Sequence, residues 1–321
     1  MSPDGITMTH NEKLPGAADS SNLDPFVGIE FPKLEMSLRR PRTLFSFLMG
    51  GVVCVMTLMA LIPLFSVVLM LVWKGGQKLS LSLFTQLPPA PLETGGGFGN
   101  AILGTVVMVG IASAIAIPIG ILCAIFMAEI APASRLAHLV RFSAKVLTGF
   151  PSILAGVFAY GALVLATGGF SALAGGVALS ILMLPTVILT AEEAIRMVPS
   201  KMREAAVGMG ATQAQVVWMV LLPTAIPGIL TGVMLAIARA AGETAPLLFT
   251  ALFSNYWLTS GGHPDIMQPT ASLAVLIYNF AGMPFQNQVE LAWAAALVLV
   301  LMVLATNLLG QALSRHQVQH N

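Results

Sequence analysis

The sequence predicts an all-α, polytopic membrane protein with six transmembrane helices, and three observations carry that reading. Of 321 residues, 56% are hydrophobic and 9% charged, against roughly a quarter charged in an ordinary soluble domain. The few charges fall between long uncharged runs. Those runs are long enough, since a hydrocarbon core of about 30 Å takes about 20 apolar residues to cross. The 15 Lys and Arg nearly balance the 14 Asp and Glu, for a net charge of +1. Without a basic block interleaved with aromatics, a nucleic-acid partner is not expected.

Each span has its own justification. Leu44–Trp73 contains no charged residue and follows Arg39, Arg40 and Arg42, which reads as a first span with a basic flank. It is too long for a signal-peptide core and too far from Met1, so it is expected to be retained. Residues 1–43 are read as a cytoplasmic tail, polar, rich in Pro, Asp and Ser, and disordered. The second span is Ala101–Ala128, ending at Glu129, with a kink at Pro118 whose freed carbonyl neighbouring helices can cover. The uncharged run Val146–Ala191 is about twice the length one span needs, with Thr167–Ser171 as the turn of a hairpin between spans three and four. A fifth span begins after Glu204 and includes Leu221–Ala238, and a sixth covers Leu291–Ser314. Ala271–Ala281, limited by Met283 and Pro284, reads as a re-entrant or surface helix, and 315–321 as a cytoplasmic C-terminal tail.

With the N-terminus cytoplasmic, twelve Lys and Arg fall on that side, among them Arg135, Arg141, Lys145, Arg196, Lys201 and Arg203. Only Lys74 and Lys78 fall outside, as the positive-inside rule requires, and six crossings return the C-terminus to the cytoplasm. Arg239 belongs to neither side.

Little points to covalent chemistry. Cys54 and Cys123 lie inside spans without metal-ligand spacing, and the histidines are scattered, so neither a metal site nor a catalytic residue is expected. No G-x-x-x-x-G-K-[ST] occurs, so the chain has no recognisable phosphate loop for ATP. Gly95, Gly96, Gly97 and Gly99 read as a loop entering the second span.

Two segments stand out. Glu192–Pro223 is long for a connector, with helix formers around Glu204, Ala205 and Ala206 and turn residues at Gly208 and Gly210. It is either a solvated hairpin or a docking element that passes a partner's movement to the spans at its ends. Arg239 and Glu243, four apart, share a helix face. Each costs about 2.5–3.5 kcal/mol at a helix centre, so neither should face lipid. They are either a self-neutralising buried pair or part of a pathway. In the second reading Gly242 and Pro246 interrupt the helix, leaving backbone N–H groups and the five-donor arginine beside an oxyanion.

Glu204-Ala205-Ala206, then three residues, Gly210, then nine residues and Val220-Leu221-Leu222-Pro223 resemble the E-A-A loop of ABC importer permeases, Val220 replacing the usual Ile. Ala238–Ala251 resembles the signature of the PstA-type permease of the phosphate importer. Further matches are Gly95–Asn100 with Gly104 and Thr105, Pro151–Tyr160, Val198 and Pro199 before Arg203, Met267–Pro269 and Ala292–Ala294. They run along nearly the whole chain from about residue 44, leaving the N-terminal tail outside.

The resemblance implies a MetI-like permease domain over 44–314 with a coupling loop at about 192–222, in the bacterial inner membrane, importing phosphate without enzymatic activity of its own. Glu204, Ala205, Ala206, Gly210, Leu222 and Pro223 would couple to an ATPase, and Arg239, Glu243 and Thr244 would line the pathway. The implied partners are a PstC-like second permease, a dimeric PstB-like ATPase, a PstS-like periplasmic phosphate-binding protein docking near 74–100 and 255–288, and membrane lipid. ATP and Mg would sit on the ATPase, with no cofactor bound by this chain. One departure is Leu189, before Thr190, where many relatives carry an arginine. It keeps another oxyanion open as substrate. An ion-coupled secondary transporter is the remaining alternative, and it calls for a second copy of the Arg239–Pro246 element, which the sequence does not show.

Overall fold

The computed structural model describes residues 41–260 and 263–318. Expectations for residues 1–40 and 319–321 therefore lie outside the described residues. Among the described residues, five helices are long and apolar enough to cross a membrane, and a sixth crossing is available from a bent pair. A two-residue antiparallel ladder, Thr259–Ser260 with His263–Pro264, interrupts the helical pattern.

The chain divides into two compact units after Pro63. Residues 41–63 of helix α1 (Pro41–Met70) are the described part of the first. Phe45, Phe47, Val53, Met56 and Ile62 are all exposed around it, the all-round apolar surface of a helix solvated by lipid.

In the second unit, the π turn Leu71–Gly75 ends the first span, where a Cβ on Gly75 would stand 2.7 Å from the Trp293 carbonyl oxygen. A short helix α2 (Ser82–Thr85) leads to α3 (Gly99–Ile125), which continues through Pro118 into a π turn at Phe126–Ile130. Helix α3 packs along α7 (Ala172–Arg196) at close range through glycines, Gly120 of α3 against Val187 and Gly176 of α7 against Ile111 and Met108. Between lipid-solvated helices no hydrophobic force operates, so close backbone approach and van der Waals contact hold this pair.

The third span differs from expectation. Instead of one helix starting after Lys145, the chain forms α4 (Arg135–Thr148) and α5 (Ser152–Ala159), the second extended by a π turn at Tyr160–Val164 and by α6 (Leu165–Thr167), with a 108° bend between them. Pro151 disfavours the helical conformation at Phe150, and the break falls there. Ser152–Thr167 spans roughly 24 Å at about 1.5 Å per residue, shorter than the bilayer core. The hairpin turn sits where the sequence places it: Gly168 adopts φ +76° and Ser171 caps α7, accepting the Ala174 N–H at 3.1 Å.

The segment read as a coupling loop over 192–222 is also shorter. Residues 192–196 belong to α7, and α9 (Gln213–Gln215) runs through a π turn at Val216–Leu221 into α10 (Leu222–Gly242). Pro223 offers no N–H to the preceding turn and crowds the carbonyl four residues back, a sufficient cause for the wider π turn there. What remains between the spans is 197–212, with α8 (Ser200–Gly208) at its centre.

Beyond α10 the helix breaks and restarts as α11 (Ala245–Thr250). Helix α12 (Leu273–Ala281) is re-entrant rather than superficial: Leu273, Val275 and Leu276 are fully buried, and the Leu273 N–H donates to Thr105 Oγ1 of α3 at 2.9 Å. Helix α13 (Gln286–Val318) starts ahead of the expected Leu291, so Gln288 and Glu290 belong to it.

Candidate functional site

Two groups of residues matter, one on the segment between α7 and α10 and one at the broken end of α10. Helix α8 follows Pro199, and its exposed face carries Met202, Glu204, Ala205 and Val207. Ala206 turns inward onto the core that includes Val216, Val217 and Leu221. Gly210, at φ +87°, closes the segment, while the Gly210 N–H donates to the Val207 carbonyl and the Ala211 N–H to the Ala206 carbonyl. An L-residue there would be strained. Thr212 then starts the fifth span with a reciprocal capping box to Gln215. The motif thus splits by task. Glu204 and Ala205 are open to a partner, Ala206 and Gly210 shape the segment, and Leu222 and Pro223 lie half-buried inside the fifth span.

At the other end of α10, Thr231, Leu235, Arg239 and Gly242 lie exposed along one face at helical spacing. Helix α10 stops at Glu243, whose backbone is extended (φ −73°, ψ 128°), and α11 begins after Thr244, which is half-buried. Arg239 Nε approaches Glu243 Oε1 at 3.3 Å, with side-chain exposures of 40% and 16%. A self-neutralising pair sealed from its surroundings would need both members covered, and Arg239 is open. The expectation of free backbone donors holds less well, because the Glu243 N–H returns to the Ala240 carbonyl at 3.2 Å. Packing pins the break: a Cβ on Gly156 of α5 would lie 2.6 Å from Pro246 Cα. Thr190 of α7 contacts Gly232 of α10, whereas Leu189 turns to the apolar cluster of Met127, Ala137, Ala144 and Ile188.

The sequence reading missed a set of partners for charges it had counted only as cytoplasmic markers. Glu192, 6% exposed, accepts from Arg141 Nη2 at 2.6 Å and Nε at 3.0 Å, and forms an ion pair with Arg196 Nη2 at 2.8 Å. Glu129, at the end of the second span, pairs with Arg203 of α8, and its carbonyl accepts from Gln213 Nε2 at 3.1 Å. The i,i+4 spacing of Glu192 and Arg196 is a local signal that was available. Arg141 and Arg203 lie 51 and 74 positions from their partners, beyond any local pattern. Among the described residues no three His, Cys, Asp or Glu side chains converge as a metal set would.

Comparison with known proteins identifies the family. Residues 116–319 match the family described as binding-protein-dependent transport system inner membrane component. The phosphate transport system permease protein PstA of Yersinia pestis is 42% identical over 242 residues, 75% of this chain and 80% of that protein. The PstA protein of Haemophilus influenzae is 41% identical, covering 84% of this chain and 94% of its own length. Among solved structures, a bacterial alginate ABC transporter, crystallised with its alginate-bound periplasmic protein, aligns with a TM-score of 0.61 at 15% identity over 87% of this chain and 98% of that one. The inward-facing methionine transporter MetNI aligns with a TM-score of 0.55 at 21% identity over 68% of this chain and 94% of that one. At such identities these two speak for the fold alone, a MetI-like permease. The chain belongs to the binding-protein-dependent transport inner-membrane components, within the PstA group of permeases.

Proposed function

We propose that this multi-pass membrane protein forms, with a second permease, the path by which an ATP-driven importer moves inorganic phosphate inward. It is a transport component rather than an enzyme, one of a set with a second permease, an ATPase and a binding protein. The finer reading makes these PstC-like, PstB-like and PstS-like, with the binding protein docking on the outer loops around 74–100 and 255–288. The Lys and Arg distribution puts both termini in the cytoplasm. ATP and Mg are handled by the separate dimeric ATPase, and this chain binds no cofactor.

The observation that carries the mechanism is an exposed helix, α8, built directly onto the ends of two spans. Glu204 and Ala205 meet the ATPase; Gly210, Leu222 and Pro223 convert movement of α8 into tilting of the fourth and fifth spans. The pathway then opens alternately outward and inward along the exposed face of α10. Arg239 offers a planar set of donors to a tetrahedral oxyanion, and Glu243 reclaims the guanidinium as the anion leaves. Thr244 adds a hydroxyl at the break. Most selectivity resides in the binding protein, since the broken end of α10 presents, among the described residues, one candidate cation and no anion cage.

Reconstitution with the three partner types in vesicles tests this, with ATP-dependent uptake of labelled phosphate expected. Uptake by the purified chain alone under an ion gradient would establish the secondary-transporter reading instead. Preference for another oxyanion would reassign the substrate and give Leu189 a role in the change. Glu204→Ala should uncouple uptake from ATP hydrolysis in the intact complex.

A further inference from the structure

Helix α8 packs its backbone chiefly on the π turn at Val216–Leu221, so by packing alone its movement belongs to the fifth span. A side chain reaches further. Arg203 leaves α8 toward the second span and binds Glu129 through one terminal nitrogen, in a site where the carboxylate side chain is 9% exposed. Gln213 reaches the same residue from the other end of the segment, donating to the Glu129 carbonyl at 3.1 Å. The end of the second span is thereby held at two points flanking Gly210. Arg203 Nε is buried without an acceptor, so the guanidinium grips the carboxylate by a single terminal contact. A buried carboxylate that loses its cation is left with an uncompensated charge, so the tie is held rather than released as α8 is displaced.

From this geometry we infer that Glu129 and Arg203 are positioning residues that make the end of the second span move with α8, so that the ATPase's stroke reaches the second span as well as the fourth and fifth. The second span packs along α7, and α7 is clamped to α4 by Arg141 and Glu192. The stroke therefore reaches α7 from the second span as well as from the fifth, both of which pack on it. This inference rests on the importer reading for its direction of drive.

The test uses the full complex in vesicles and reads phosphate imported per ATP hydrolysed. Glu129→Gln and Arg203→Gln should each lower that ratio about 3- to 30-fold, the range in which single contacts along a coupling route act. The charge-exchanged double variant E129R/R203E should recover to within about 2-fold of the parent, because a mutual contact is not additive. An unchanged ratio in the single variants overturns the inference, as does a double variant no better than the singles. Spin labels at positions 132 and 201, in a variant with Cys54 and Cys123 replaced, guard against misfolding as the cause. The parent should keep one label distance with and without trapped nucleotide, and E129Q should not. A parent distance that changes between the two states also overturns the tie. A parent complex that hydrolyses ATP without importing phosphate would instead sink the substrate reading, and the label distance would still test the tie.

Discussion

Among the described residues, two carboxylates form ion pairs with an arginine four positions away, Glu192 with Arg196 and Glu243 with Arg239, and the two pairs end in opposite environments. Glu192 precedes its arginine, the more favourable order along a helix, whereas Glu243 follows its own at the C-terminal end of α10. Glu192 also gathers Arg141 from a distant helix and is covered. The Arg239 pair gathers nothing, is longer at 3.3 Å, and leaves the guanidinium 40% exposed. Identical spacing therefore builds a clamp at one place and an exchangeable contact at the other. What separates them is whether a third residue completes the charge balance and excludes the surroundings.

The largest expected effect follows at the open pair. Arg239→Ala should abolish phosphate uptake while the complex still assembles and its ATPase still turns over, because among the described residues Glu243 has no other cation paired with it to replace the lost donors. Arg239→Lys keeps the charge without the planar fork and should recover only part of the rate. Normal uptake in R239A would make the pair merely structural and erase the functional half of the comparison. The clamp should respond differently. Glu192→Gln strands Arg141, the less exposed of its two partners, and should destabilise the protein by about 3 kcal/mol, at the low end for a broken buried pair because Arg196 keeps access to water. A lowered unfolding temperature in detergent is the measurement. Unchanged stability would mean that Glu192 is no clamp at all.

How much of this was legible depends on the range of the interaction. Charge-free runs located the spans, and the chemistry of Gly168, Gly210 and Pro246 marked the turns and the break, because these are local properties of the backbone. The bend at Gly149-Phe150-Pro151 was written in the same local code, yet the uncharged run around it hid the boundary between α4 and α5. Leu222 and Pro223 are read naturally as the end of a loop motif, but the helix reaches back past them to Gln213. Burial of α12 was not legible, since an apolar segment looks alike against lipid and against protein. The partners of Glu129 and Glu192 were hidden for a simpler reason: they come from other helices, and only the packing of α3, α4, α7 and α8 brings them together.

The smallest effect sharpens the comparison from outside it. Lys78 Nζ lies 2.7 Å from Glu290 Oε2, closer than Arg239 lies to Glu243, and Gln286 donates to the same carboxyl group at 3.1 Å. If distance set the strength of a pair, this one would outrank the pair in the broken helix. Its side chains are 50% and 31% exposed, however, so water and salt share the interaction, and exposed pairs contribute about 0–1 kcal/mol. Lys78→Gln should therefore change the unfolding temperature within that range, and raising the salt should shrink even this difference. A loss well above about 1 kcal/mol that resists salt would mean that the N-terminal end of α13 is covered in the assembled protein. Cover would then have to be judged in the complex for Arg239 as well, and the openness that distinguishes it from Glu192 would have to be measured there.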